Sequence, residues 1–160
     1  MGCAADDLRC QLQNLAIYVL SLKTQQVSKI PGSDALVGAR LSGDGRYIAA
    51  VTTRLDKVML YDFHTQRWSG LVQGDGSITW SHDSKFVYLR LKQGTEPAKL
   101  VRVRVPDGTI EQVADLKDIS LGGSWADWVS LLPDDSPLLM PKAPIKSIRS
   151  FETHNTHLRP

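Results

Sequence analysis

Three aspartates recur in one local setting. Asp44 lies in Ser42-Gly43-Asp44-Gly45-Arg46, Asp83 in Ser81-His82-Asp83-Ser84-Lys85, and Asp134 in Leu132-Pro133-Asp134-Asp135-Ser136. Carboxylates ringed round a channel would suit a hard cation, which takes several oxygen ligands. An Asp in such a stretch also accepts a hydrogen bond from the backbone N–H two residues on, and so fixes a turn. The turn reading explains all three without a metal. Ser42, Asp44, Gly45, Ser81, Asp83 and Asp134 are therefore read as structural turn residues.

Other chemistry is thinner. The stretch nearest to a nucleophile elbow, Gly122-Gly123-Ser124-Trp125-Ala126, ends in Ala126 and has no strand-turn-helix setting. His154 and His157 are two ligands with no cysteine or carboxylate set to complete a metal site. His64 and His82 fall in turn segments and read as solvated. There is no phosphate-cradling Gly-Lys-Ser/Thr motif and no aromatic-plus-basic stripe for single-stranded nucleic acid. The expectation is no catalytic residue, no metal and no cofactor. Trp125 and Trp128, with Asp127 between them, are the candidate interaction surface, because aromatics with an apolar body and a polar handle favour interfaces. Packing between sheets is the competing reading of both tryptophans.

Composition sets the frame. A chain of 160 residues, 42% hydrophobic and 22% charged, matches one soluble globular domain. A net charge of +2 gives no support for a nucleic-acid partner. Cys3 and Cys10 are the two cysteines, and they make neither a disulfide framework nor a metal spacing; they read as free thiols in an irregular segment over 1–14. The start is too polar for a secretion signal, and the apolar run from Leu15 to Leu22 is too short for a membrane span. Met1-Gly2 resembles the start of a myristoylation site, but Asp6 stands where Ser or Thr is needed.

The elements that carry the aspartates repeat. "RLSGDGRYIAAV" (40–51) matches "TWSHDSKFVYLR" (79–90) at an offset of 39. "IYVLSLKTQQV" (17–27) matches "VMLYDFHTQRW" (58–68) at an offset of 41, and "LVRVRVPDGTI" (100–110) matches it at 42. The segments are short, rich in β-branched and aromatic residues, and alternating: Val101, Val103 and Val105 against Arg102 and Arg104. That period of two marks a half-buried strand. No window has helical apolar spacing.

One copy holds four strands. In the middle copy, a covers about 36–41, b 47–53, c 57–63 and d 67–72. The next copy runs over 77–114. Residues 15–30 supply only c and d, and 124–140 only a and b. Four-stranded antiparallel units every forty or so residues define β-propeller blades. The fold expected is all-β: two complete blades (36–72 and 77–114), flanked by half blades (15–30 and 124–140). The near-continuous apolar strand Tyr47-Ile48-Ala49-Ala50-Val51 fits a blade covered on both faces. The terminal pairs are positioned to complete one blade between them. The proline-rich 141–160 breaks the strand pattern and reads as irregular or disordered, pointing to a truncated propeller or a longer parent.

"LSGDGRYIAAV", "WSHDSKFVYL" and "VMLYDFHTQRW" resemble the TolB-type, WD-repeat-like β-propeller repeat of bacteria, whose pattern is Trp-Ser-Pro-Asp-Gly-(Lys/Arg)-aromatic-Ile followed by (Ile/Leu)-(Tyr/Phe)-x-(Leu/Met/Val)-Asp. Trp80 keeps the Trp, which Leu41 replaces, and only Pro133 keeps the Pro. Tyr61-Asp62 fits the later element; Leu20-Ser21 and Val103-Arg104 depart from it. The resemblance spans roughly residues 15–140. It implies a non-enzymatic scaffold for protein or ligand contact, with a periplasmic setting. The alternatives are part of the gating propeller of a prolyl-oligopeptidase-like serine hydrolase, or a gene product without independent function. A protein partner and a homo-oligomer that closes the propeller follow as expectations, without nucleic acid or membrane insertion.

Overall fold

A computed structural model describes residues 15–74, 77–91, 95–117, 119 and 128–139, the side chains of 128 and 129 excepted. All regular elements among the described residues are β-strands: β1 (Tyr18–Leu20), β2 (Val27–Lys29), β3 (Leu36–Leu41), β4 (Tyr47–Thr52), β5 (Lys57–Asp62), β6 (Arg67–Gln73), β7 (Ile78–Trp80), β8 (Phe86–Leu91), β9 (Lys99–Arg104), β10 (Ile110–Asp115), β11 (Trp128–Leu131) and β12 (Pro137–Leu139). They form four antiparallel sheets. Two are four-stranded meanders, β3-β4-β5-β6 and β7-β8-β9-β10; two are two-stranded, β1-β2 and β11-β12.

Side-chain alternation explains the stacking. Along β4, Tyr47, Ala49 and Val51 pack with Val87, Leu89 and Leu91 of β8, filling the space between the two large sheets. Ile48 points the other way and packs with Tyr61 and Ile30 towards β1–β2. Along β8, Tyr88 and Phe86 turn towards β11–β12, where Leu131 and Leu139 meet them. Each large sheet is thus covered on both faces, which is why its b strand is apolar at nearly every position. Ala49 and Ala50 are fully buried and let the sheets approach closely. Val58, Val87 and Val103 are also fully buried, and each such side chain contributes about 1.5–3 kcal/mol.

The alternation of β9 resolves in the same way. Val101 and Val103 enter the central core. On the opposite face Arg102 Nε donates to Glu111 Oε2 at 2.7 Å, and Arg104 Nη2 to Glu111 Oε1 at 3.0 Å. Arg102 also lies over the Phe86 ring, 4.5 Å from its centroid. Burial would raise the Glu111 pKa, but the two guanidiniums outweigh it and hold the carboxyl below its ordinary range.

β1–β2 and β11–β12 do not pair with each other. The completion of one blade by the two terminal pairs, expected from the repeat, is not made within this chain among the described residues.

Candidate functional site: the turn rim and its clasps

The turns between strands a and b, and those between c and d, lie along the same edge of each sheet. Arg46 O accepts from Phe63 N, and Lys85 O from Val105 N, joining the two turns of each large sheet.

Each full a–b turn is wired alike. Ser42 Oγ donates to Asp44 Oδ1 at 2.6 Å and accepts from Tyr47 N at 2.9 Å; Asp44 Oδ1 also accepts from Arg46 N. Ser81 Oγ donates to Asp83 Oδ1 at 2.7 Å and accepts from Phe86 N at 2.9 Å; Asp83 Oδ1 accepts from Lys85 N. Both serines are buried. The Ser42 hydroxyl, then the Arg46 amide, hold the Asp44 carboxyl below its ordinary pKa. Ser81 and then Lys85 do the same for Asp83.

The third turn departs from this plan. Leu132 stands in place of the serine, so no hydroxyl two residues earlier donates to Asp134, whose Oδ1 accepts from Ser136 N, with its pKa lowered by that amide first and the Ser136 hydroxyl next. The turn is also one residue tighter: Leu132 N bonds to Ser136 O, four positions on, whereas Ser42 N and Ser81 N bond five positions on.

Each residue after the turn aspartate has a left-handed backbone: Gly45 at φ 73°, Ser84 at 61° and Asp135 at 62°. This conformation aims the side chains of Ser84 and Asp135 back at the preceding sheet. Ser84 Oγ accepts from Asp44 N at 3.1 Å. Asp135 Oδ1 accepts from His82 N at 3.1 Å and lies 2.6 Å from His82 Nδ1. These are clasps between consecutive sheets. Two indoles add to them: Trp80 Nε1 donates to Arg40 O at 2.9 Å, and Trp68 Nε1 to Pro31 O at 2.9 Å. Trp80 also stacks on Tyr47 at 6.3 Å between centroids.

His82 is solvated as expected, its side chain 57% exposed, but the sequence offers no partner for Ser84 or Asp135. The structure puts all three at the sheet-to-sheet junctions. A signal was present, since Ser84 and Asp135 hold equivalent repeat positions and both carry an acceptor where Gly45 has none. Each turn aspartate commits its Oδ1 to its own turn. Among the described residues no three His, Cys, Asp or Glu side chains gather as a metal site. Trp125, Asp127, Gly122 to Ala126, Cys3, Cys10, His154, His157 and the segment 141–160 lie outside the described residues. Trp128 opens β11, but its side chain also lies outside them.

No family model matches the chain, and no curated protein sequence matches it significantly. Solved structures do resemble it. TolB from Acinetobacter baumannii superposes with a TM-score of 0.56 at 17% identity, over 81% of this chain and 33% of that one. The putative TolB from Agrobacterium tumefaciens gives 0.52 at 20% identity, over 70% and 40%. An oligogalacturonate lyase from Vibrio parahaemolyticus gives 0.51 at 21% identity, over 62% and 33%. The class is therefore an all-β propeller. More particularly, the described residues form a TolB-like β-propeller fragment, and the chain spans between a third and two fifths of the length of these structures.

Proposed function

We propose that this chain is a non-catalytic, TolB-like propeller scaffold for protein–protein contact. The observation that carries the reading is the commitment of its polar groups. The aspartates and buried serines of the a–b turns, and the carboxylate nearest to His82, all hold turns or join sheets. The rim they build is held by these hydrogen bonds and presents exposed side chains such as Arg46, His64 and Lys85. A rim of fixed turns carrying variable side chains suits partner recognition.

A photo-crosslinking residue at His64 or Lys85, in cells that express the chain, tests this. A discrete adduct with one protein, lost when Arg46 is reversed to Glu, is the expected result. A smear of adducts, or none, defeats the reading. The likeness to a lyase keeps an enzymatic parent as the second reading. Cleavage of a polysaccharide or peptide panel by the purified chain, abolished by a single rim substitution, would establish it instead.

A further inference from the structure

Among the described residues each end sheet has two strands where a full blade has four. β11–β12 supplies strands a and b of a blade, and β1–β2 supplies c and d. Among the described residues nothing pairs with the outer edge of β12 or of β1. Neither edge carries a charge: one is Tyr18-Val19-Leu20, the other Pro137-Leu138-Leu139. Uncharged exposed edges invite pairing with another strand.

The exposed faces are complementary as well. By repeat position Leu20 corresponds to Tyr61, which packs towards the preceding sheet. Tyr18 and Leu20 point the same way and are 59% and 53% exposed. Leu41 holds the position of Trp80, which the preceding sheet covers through Tyr47; Leu41 itself is 59% exposed. Among the described residues no a–b pair extends the sheet at this end. At the other end Leu139 packs back on the large sheet, while Leu138 on the opposite face is 41% exposed. Among the described residues no sheet follows that end.

We propose that two copies of this chain close one ring, with β12 of each pairing with β1 of the other. The composite sheet β11-β12-β1-β2 then repeats the order β3-β4-β5-β6. The register follows from the whole blade. Pro137 pairs with Leu131 as Ile48 pairs with Leu41, and Leu139 faces the preceding sheet as Leu89 does. Pairs Ile48↔Tyr61 and Ala49↔Leu60 therefore become Pro137 with Leu20 of the partner subunit, and Leu138 with Val19 of the partner subunit. Leu138 would also cover Leu41 of the partner subunit. The two complete and two half blades among the described residues give about six blades for two copies, inside the range of about four to eight that propellers use. A two-fold axis satisfies both junctions at once. The proposal does not depend on the contact-scaffold reading.

Light scattering on the size-excluded full chain, over serial dilution, should give twice the chain's 17.7 kDa. A monomer at every concentration, or growth without limit, overturns the proposal. In a background with Cys3 and Cys10 replaced by Ser, Val19→Cys and Leu138→Cys chains are then treated with a short bis-maleimide. Mixed chains should cross-link, and neither chain alone should. A dimer that cross-links equally well within one variant overturns the proposed junction. Leu138→Lys should shift the mass to monomer while the far-ultraviolet strand signal stays. A folded Leu138→Lys dimer also overturns it.

Discussion

Asp135 Oδ1 contacts His82 twice, at the backbone N and at ring Nδ1. The two residues are 53 positions apart in the chain and belong to different sheets. The contact has the same geometry of purpose as Ser84 on Asp44, one junction earlier. A left-handed residue after the turn aspartate grips a backbone amide of the sheet before it.

The clasp is testable by separating backbone conformation from acceptor. Ser84→Ala removes the acceptor and leaves the Asp44 amide unserved, at a cost of about 1–2 kcal/mol. Ser84→Gly removes the same acceptor but relieves the left-handed strain, recovering about 1 kcal/mol. Urea unfolding should order the variants as wild type, then Gly, then Ala. Equal stability of all three would dismiss the clasp.

The buried turn serines have a larger role than their size suggests. Ser42→Ala or Ser81→Ala removes a donor to the aspartate and an acceptor for the first amide of strand b. Each should destabilise by about 1–3 kcal/mol in denaturant unfolding. Leu132→Ser should not stabilise comparably, because that turn closes one residue earlier.

Acid should loosen the rim. Asp44, Asp83, Asp107 and Asp134 all have pKa values lowered in the folded chain, by Ser42, Ser81, the Thr109 amide and the Ser136 amide first. A lowered folded pKa means the unfolded chain binds protons more readily. The stabilisation is therefore complete above the ordinary value of 3.8 and is lost as pH falls below it through the folded values. Unfolding midpoints followed between pH 6 and pH 2 should fall in that window. Asp83→Asn should flatten the decline; an unchanged profile would show that these groups do not drive it.

Glycines at two turns should respond differently to a methyl group. At Gly108, φ is 76° and a Cβ would sit 2.9 Å from Leu71 O, a backbone atom of β6 in the preceding sheet. At Gly45, φ is 73° and a Cβ would meet open space. Gly45→Ala should cost only the left-handed penalty of about 1–2 kcal/mol, and Gly108→Ala more than that. Comparable thermal midpoints for the two variants would refute the difference.

Trp80 joins sheets through its indole N–H, so Trp80→Phe should lose about 1 kcal/mol while the ring remains against Tyr47. With Trp68, Trp125 and Trp128 replaced by Phe, Trp80 is the sole indole, and a red shift of its emission would report the same junction opening under mild urea.

The sequence alone determined the strands, their grouping in fours and the turn chemistry. Periods of two, the spacing of about forty and the Ser-x-Asp pattern are local properties, and local sterics and hydrogen bonding write them into each copy. Strand bounds such as Leu36–Leu41 and the division of β9 into valine and arginine faces were legible for that reason. Tertiary structure alone decided which side chains cross between copies. Nothing local makes Asp135 the acceptor for the exposed His82, because that contact exists only when one sheet is stacked on the next. The same holds for the two terminal pairs, whose pattern allows them to share a blade but whose edges stay apart within one chain. Pairing of distant edges depends on the position and twist of every intervening sheet, and no stretch of residues carries that sum.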